Sequence, residues 1–435
     1  MPEEIARRVG WRPIVQSAMI AATVSGAACM AALQSVTAAP PGRKTTSSAG
    51  KHAVFAYAAC QDGAVYQYRI ASDGNLIPLS PPKVDAIAAP GYLTESPDHR
   101  YVYAMPGFGS GISQYRIGDN GGLIPLAPES VPVDVGGPRE ILQFARGKFA
   151  YVSCETAGTI CQYRVGQDGS LHPLSPSRIS VGERPGFAVV SPDGRSLYVP
   201  VEHKVDQFRI GEDGVLHPLH PSSVPCDGTA YGLTLNPAGD IAYVAESDKP
   251  YATTTHVQTF KRSSDGSLKR IPAQLHVGGS ANLPGPLPGT RYSAPGVGLF
   301  QYHVLKDGTL SPMTPAFVLD GIVGRLCFAR VSGNIYAYTG VSEPDEIHGF
   351  KVLNDGTLSP LTPAILYSRI GRAYQDIYVD PSEHYLYALE EWYSQIDMFH
   401  IEPDGSLKLL KQPSPLGPAV GKGLSSMLIV TRPAP

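Results

Sequence analysis

The residues equipped to do chemistry in this chain recur at two kinds of position. Four places after a repeated tyrosine stand Gln61, Gly107, Glu155, Glu202, Ser247, Ser342 and Glu391. At the starts of a second set of segments stand Gly91 and Tyr92, Arg139 and Glu140, Arg184, Tyr231, Arg325, Arg372 and Lys422. Arginines and glutamates mixed in this way suit a small polar or anionic ligand. Guanidinium forks grip carboxylate or phosphate oxygens, and carboxylates accept from hydroxyls. Trp392 and Tyr393 form an aromatic pair of the kind that stacks on a sugar ring, or simply packs a loop.

Other chemistries find no footing. No Gly-x-Ser-x-Gly elbow and no phosphate-binding Gly-rich loop is present. His217 and His220 are too few for a metal set, so no metal and no cofactor is read. The net charge of -3, with no Lys/Arg patch, excludes a nucleic-acid footprint.

The elements that position these residues are repeats. Eight units begin their central segment at "VYQYRIASDGNLIPL" (65), "ISQYRIGDNGGLIPL" (112), "ICQYRVGQDGSLHPL" (160), "VDQFRIGEDGVLHPL" (205), "VQTFKRSSDGSLKRI" (257), "LFQYHVLKDGTLSPM" (299), "IHGFKVLNDGTLSPL" (347) and "IDMFHIEPDGSLKLL" (396). The spacing of 42 to 52 residues is that of propeller blades or solenoid turns. Each segment alternates apolar and polar residues as a half-buried strand does, and Asp-Gly then closes a tight turn. A second hairpin lies upstream, as in "FAVVSPDGRSLYVPVE" at 187. Gly (46) and Pro (41) supply many turns, and no helical period intervenes.

The expected fold is therefore all-β, a propeller of four-stranded blades with a single domain over 52–433. The first unit lacks an inner strand, and "GLSSMLIVTRP" at 423–433 resembles an isolated one, so the two ends are expected to share a blade. The sixth unit reads as defective. "SANLPGPLPGTRYSAPGV" is too Pro-rich for a central strand, which leaves eight blades or seven with one displaced unit. In a blade, the start of the innermost strand and the end of the next lie at one rim. The two sets of residues above would thus converge on one mouth of the channel.

Arg7, Arg8 and Arg12 precede an apolar run and the small-residue stretch "QSVTAAPPG". Residues 1–38 read as a secretory signal cleaved after Ala38, with an uncleaved anchor as the alternative, and 39–51 as a linker. The expected location is the periplasm or the medium, with no membrane attachment after cleavage. Of the remaining cysteines, Cys154 and Cys161 stand out. A two-residue turn at Ala157-Gly158 would set them directly opposite, where an exported protein can oxidise them.

"GGPREILQFARGKFAYVSCETAGTICQYRV" (136–165), with blade segments such as "SPDGRSLYV", resembles the lactonase propellers. That family includes bacterial 6-phosphogluconolactonase and the fungal carboxymuconate-lactonising enzyme. The resemblance implies a seven-bladed fold and a site of a His, two Arg and a Glu at the channel mouth. Arg139 matches the arginine of Gly-Pro-Arg and Glu155 the glutamate one hairpin later. The family histidine falls on Gly91, the second arginine on Glu202, and the histidine after Gly-Pro-Arg on Glu140. Lactone hydrolysis needs a base for water and a donor for the oxyanion. Glu155 is the expected base and Arg139 the expected donor. Glu140, Glu202, His203, Arg325, Arg372 and Glu391 are expected to line the ligand. The alternative is a ring that binds a small ligand or protein partner without turnover.

Overall fold

The computed structural model describes residues 52–107, 109–134, 142–247, 255–277, 282–294, 296–342, 345–368, 374, 376–390, 395–410, 414–415 and 423–433. The readings on the leader and linker fall outside these residues. So do Arg139, Glu140, Arg372, Glu391, Trp392, Tyr393 and Lys422.

All helical or strand structure among the described residues is strand, and no helix there is long and apolar enough to cross a membrane. The strands pair in antiparallel sheets, mostly of four strands in chain order. In the third unit the order runs Gln143–Ala145, Phe149–Cys154, Thr159–Val165, Leu171–Ser180. We call these the inner, second, third and outer strands. In the first unit the inner strand is Leu424–Pro433, which pairs antiparallel with His52–Cys60.

The sixth unit departs from its sequence reading. Its Pro-rich segment forms two short strands, Asn282–Pro284 and Thr290–Ser293, that take the inner and second places. Pro284 ends its strand, and Pro286 and Pro288 fall in the turn, so no ladder donor inside a strand is lost. The strand Leu310–Val331 then serves as the outer strand of this unit and the inner strand of the next, joining both into one seven-stranded sheet.

Burial also differs from the half-buried pattern. Second strands such as Phe149–Cys154 and Ser196–Val201 are buried at every residue, whereas the outer strand Leu171–Ser180 is mostly exposed. The reason is stacking of sheets face to face. One core cluster joins Tyr92, Tyr103 and Met105 of the second unit to Ala150, Val152 and Cys154 of the third.

Two repeated hydrogen bonds set the spacing between units. Tyr57, Tyr103, Tyr151, Tyr198, Tyr243, Tyr292 and Tyr338 donate to the carbonyls of Gly121, Gly169, Gly214, Gly266, Gly308, Gly356 and Gly405, each in the next unit's Asp-Gly turn (Asn120-Gly121 in the second unit); Tyr387 donates to Gly74 (2.5–2.9 Å). These turns need glycine twice over. At Gly169 φ is +80°, and a Cβ would lie 2.3 Å from the Tyr101 ring.

The second bond is a bracket made by Gln67, Gln114, Gln162, Gln207 and Gln301. Each Nε2 donates to a proline carbonyl of its own outer strand (2.6–3.0 Å). Each Oε1 accepts the backbone N–H of a leucine in the following unit (2.7–2.9 Å).

Candidate functional site

The hairpins between second and third strands lie at the end opposite the Asp-Gly turns. In the third unit the hairpin tip is Glu155–Gly158, closed by the Gly158 N–H donating to the Cys154 carbonyl (2.9 Å). Gly158 has φ +65°, and a Cβ there would meet the Gly182 carbonyl oxygen at 2.4 Å. Glycine is thus required for the tip to lie against the connection entering the fourth unit. The Val181 N–H donates to the Gly158 carbonyl across this contact (2.9 Å).

That connection carries Arg184, whose φ of +50° is unusual for a side-chain-bearing residue. Two interactions hold it there. Pro185 bridges to Val201, and Ser153 Oγ donates to the Gly186 carbonyl (2.8 Å). Arg184 Nε then lies 3.9 Å from Glu155 Oε1, with the guanidinium side 64% exposed and the carboxylate side 20%. The same bridge places Arg184 alongside Glu202 in register. Glu202 (φ +48°) and His203 form the exposed two-residue tip of the fourth unit. This tip is fixed through its backbone: the Ala230 N–H donates to the Glu202 carbonyl and the Cys226 N–H to that of His203.

The structure therefore brings Glu155, Glu202 and His203 to the junction of the third and fourth units. Arg184 is the cation that lies beside Glu155 there. It was legible as a rim residue in sequence, but not as the partner of Glu155.

Arg325 belongs elsewhere. It is 7% exposed, and its guanidinium stacks 4.3 Å from the Tyr378 ring, between the seventh and eighth units. Burial pushes the neighbouring Asp376 carboxyl up to about 6, against the opposing pull of Arg325. Tyr374, in the same region, donates to Asp397 Oδ2 (2.8 Å) and sits 3.5 Å from Glu390 Oε1. Those buried acids escaped the sequence reading because they stand inside the rim: Glu390 three residues after Tyr387, Asp397 opposite Ala388 on the third strand, and Asp376 just before the inner strand Ile377–Val379. Burial also raises Glu246, the residue at the Glu390 position in the fifth unit; its Oε2 accepts the Gly228 N–H (2.9 Å).

The cysteine register is corrected. Cys154 pairs with Thr159, and Cys161 with Val152. The tip is four residues long rather than two, so the cysteines are diagonal neighbours. Their sulfurs lie 3.6 Å apart without a bond between them.

No family model matches the sequence, and no curated protein matches it. Solved structures do match. The periplasmic gluconolactonase PpgL of Pseudomonas aeruginosa superposes with a TM-score of 0.52 at 18% identity, over 87% of this chain and 99% of that one. A candidate 6-phosphogluconolactonase of Bacteroides fragilis gives 0.53 at 18%, over 87% and 98%. The dihydro-heme d1 dehydrogenase NirN gives 0.61 at 14%, over 86% and 74%. The fold is that of the lactonase-type β-propellers, and at these identities the likeness speaks for the fold alone.

Proposed function

We propose that the protein is an exported lactonase-like hydrolase, built as an eight-bladed ring and acting on a small lactone or sugar-derived ester at the channel mouth. The ring is supported by the tyrosine-to-glycine bonds, the last of which runs from Tyr387 back to Gly74 of the first unit. The site is carried by one observation: the Glu155 carboxylate lies beside the Arg184 guanidinium, in register with Glu202, on a lactonase-type fold.

In this reading Glu155 takes a proton from water as the water oxygen attacks the lactone carbonyl carbon. The carbonyl oxygen becomes an oxyanion, held by Arg139 with Arg184 as a second guanidinium. The ring C–O bond then breaks, and the alkoxide recovers the proton to leave a hydroxy acid. Glu202 places a negative charge where the family has an arginine, which disfavours a phosphorylated substrate. Glu140, His203, Arg372 and Glu391 are proposed to line the same mouth.

The test is a panel of aldono- and aliphatic lactones followed by acid release. Glu155→Gln should lower kcat/KM by about 10²-fold or more, and Arg139→Ala and Arg184→Ala by about 10- to 10³-fold. Turnover that survives all three changes refutes the site. Gly91 and Glu202 favour the second reading, a ring that binds a ligand or partner without turnover; no hydrolysis across the panel would select it. Export is tested separately, by an N-terminus of the recovered protein at Ala39.

A further inference from the structure

The hairpin below Glu155 carries two sulfurs that the hydrolytic reading does not use. Cys154 and Cys161 are 0% and 5% exposed, face the second unit, and hold their sulfurs 3.6 Å apart. The corresponding diagonal is different in every other unit. In sequence the corresponding residues are Cys60 and Tyr66, Pro106 and Ser113, Val201 and Asp206, Glu246 and Gln258, Pro295 and Phe300, Val341 and His348, and Glu390 and Asp397. A pair of thiols at this place is therefore not blade grammar.

We propose that Cys154 and Cys161 are a covalent modification site, an oxidisable dithiol whose disulfide fastens the turn that presents Glu155. A disulfide needs sulfurs about 2.05 Å apart, so closure moves them together by about 1.5 Å. Diagonal strand neighbours have Cα atoms about 7–8 Å apart, so closure also draws the two strands slightly together at the tip. The segment enclosed, Glu155–Thr156–Ala157–Gly158–Thr159–Ile160, begins with the proposed base. Its far side is already anchored, because Thr159 Oγ1 donates to Asp134 Oδ2 (2.6 Å) and Gly158 lies against Gly182. A bond at Cys154 would fix the near side, immediately before Glu155.

The two thiols are unequal. Cys154 is fully enclosed, whereas Cys161 is 5% exposed. Cys161 is thus the sulfur an oxidant reaches first, and the attacking one. Its thiolate displaces one glutathione thiolate from glutathione disulfide, forming a mixed disulfide. The Cys154 thiolate then displaces the second. Two thiols lose two protons and two electrons, and one glutathione disulfide becomes two glutathiones. Because both sulfurs are buried, exchange is fast while the chain folds and slow once it is packed.

The formation of the bond stands apart from the hydrolase reading; only its effect on turnover rests on that reading. The full chain is refolded with glutathione disulfide or with dithiothreitol, alkylated after denaturation and mapped by mass. The expected result after oxidation is one intramolecular link between Cys154 and Cys161, with the other cysteines alkylated. Melting should rise by about 3 °C, and amide exchange of Thr156–Gly158 should slow about tenfold. Cys154→Ser and Cys161→Ser, made singly so that one folded variant suffices, should each abolish both shifts. Full alkylation of both cysteines after oxidative refolding, or a link to Cys60 instead, overturns the proposal. A Cys154–Cys161 link with unchanged exchange overturns the fastening. Where lactone turnover is found, oxidised and reduced protein should differ by about threefold or more in kcat/KM; equal values sink the coupling to Glu155 but not the bond.

Discussion

The two ends of the sheets are built on opposite plans. At the Asp-Gly end every unit repeats one device: a tyrosine hydroxyl on a glycine carbonyl, backed in five units by a glutamine bracket. At the hairpin-tip end the described units differ in tip length and in the partners their side chains find. Glu155 at one tip lies beside Arg184 of the adjoining connection, the next tip is Glu202-His203, and further round, inside the rim, Asp376 is buried near Arg325. Repetition holds the sheets together, and the proposed chemistry falls to the other end. The four-residue tip of the third unit and the two-residue tip of the fourth share one framework. A common scaffold can therefore carry unrelated residues at its rim.

Breaking the repeated end should cost most. Deleting Leu424–Pro433 strips His52–Cys60 of its inner partner and should abolish the cooperative thermal transition. Retention of a normal melt would mean that this strand is dispensable. Gln162→Ala should come next. It leaves the Leu216 N–H and the Pro176 carbonyl without partners, a loss of about 4 kcal/mol in denaturant unfolding.

Asp376 probes the tip end. Its folded pKa, about 6, lies above the ordinary 3.8, so the native state holds the proton more tightly than the unfolded chain. The stabilisation this gives is complete below about pH 4 and is lost as pH rises through about 6. Relative to Asp376→Asn, the wild type should lose about 3 kcal/mol between those limits. A constant difference would contradict burial outweighing the pull of Arg325 at this carboxyl. The smallest effect belongs to Glu202→Gln. Its side chain is exposed, and the change should shift stability by less than about 0.5 kcal/mol while altering affinity for anionic ligands.

Much of the repeated end was legible in sequence, because its signals are periodic. The Asp-Gly turns and second-strand tyrosines mark the units, and the pairing of the first and last stretches followed from a missing strand. The glutamine bracket was equally visible, as a Gln at one place in five units. It went unread because alternation alone assigns such a residue to an exposed face, whereas Gln162 is wholly buried between sheets. The sixth unit misled because Pro284 falls at a strand end and Pro286 and Pro288 in the turn, where they are tolerated.

The tip end was less legible for a physical reason. Rim positions follow from strand length, but pairing depends on loop length and backbone angle. The Cys154–Cys161 register was misjudged because Gly158 closes a four-residue tip. Arg184 meets Glu155 through a positive φ that no period predicts. Arg325 was placed at the rim by its position at the start of a repeated segment, yet it is buried against Tyr378.

The most direct test of the division between the two ends is hydrolysis of the best lactone of the panel by wild type, Glu155→Gln and Gln162→Ala, each measured well below its melting temperature. Glu155→Gln should keep wild-type stability and lose about 10²-fold or more in kcat/KM. Gln162→Ala should melt earlier and retain turnover within about threefold. A fully active Glu155→Gln protein would contradict the assignment of chemistry to the unrepeated tip.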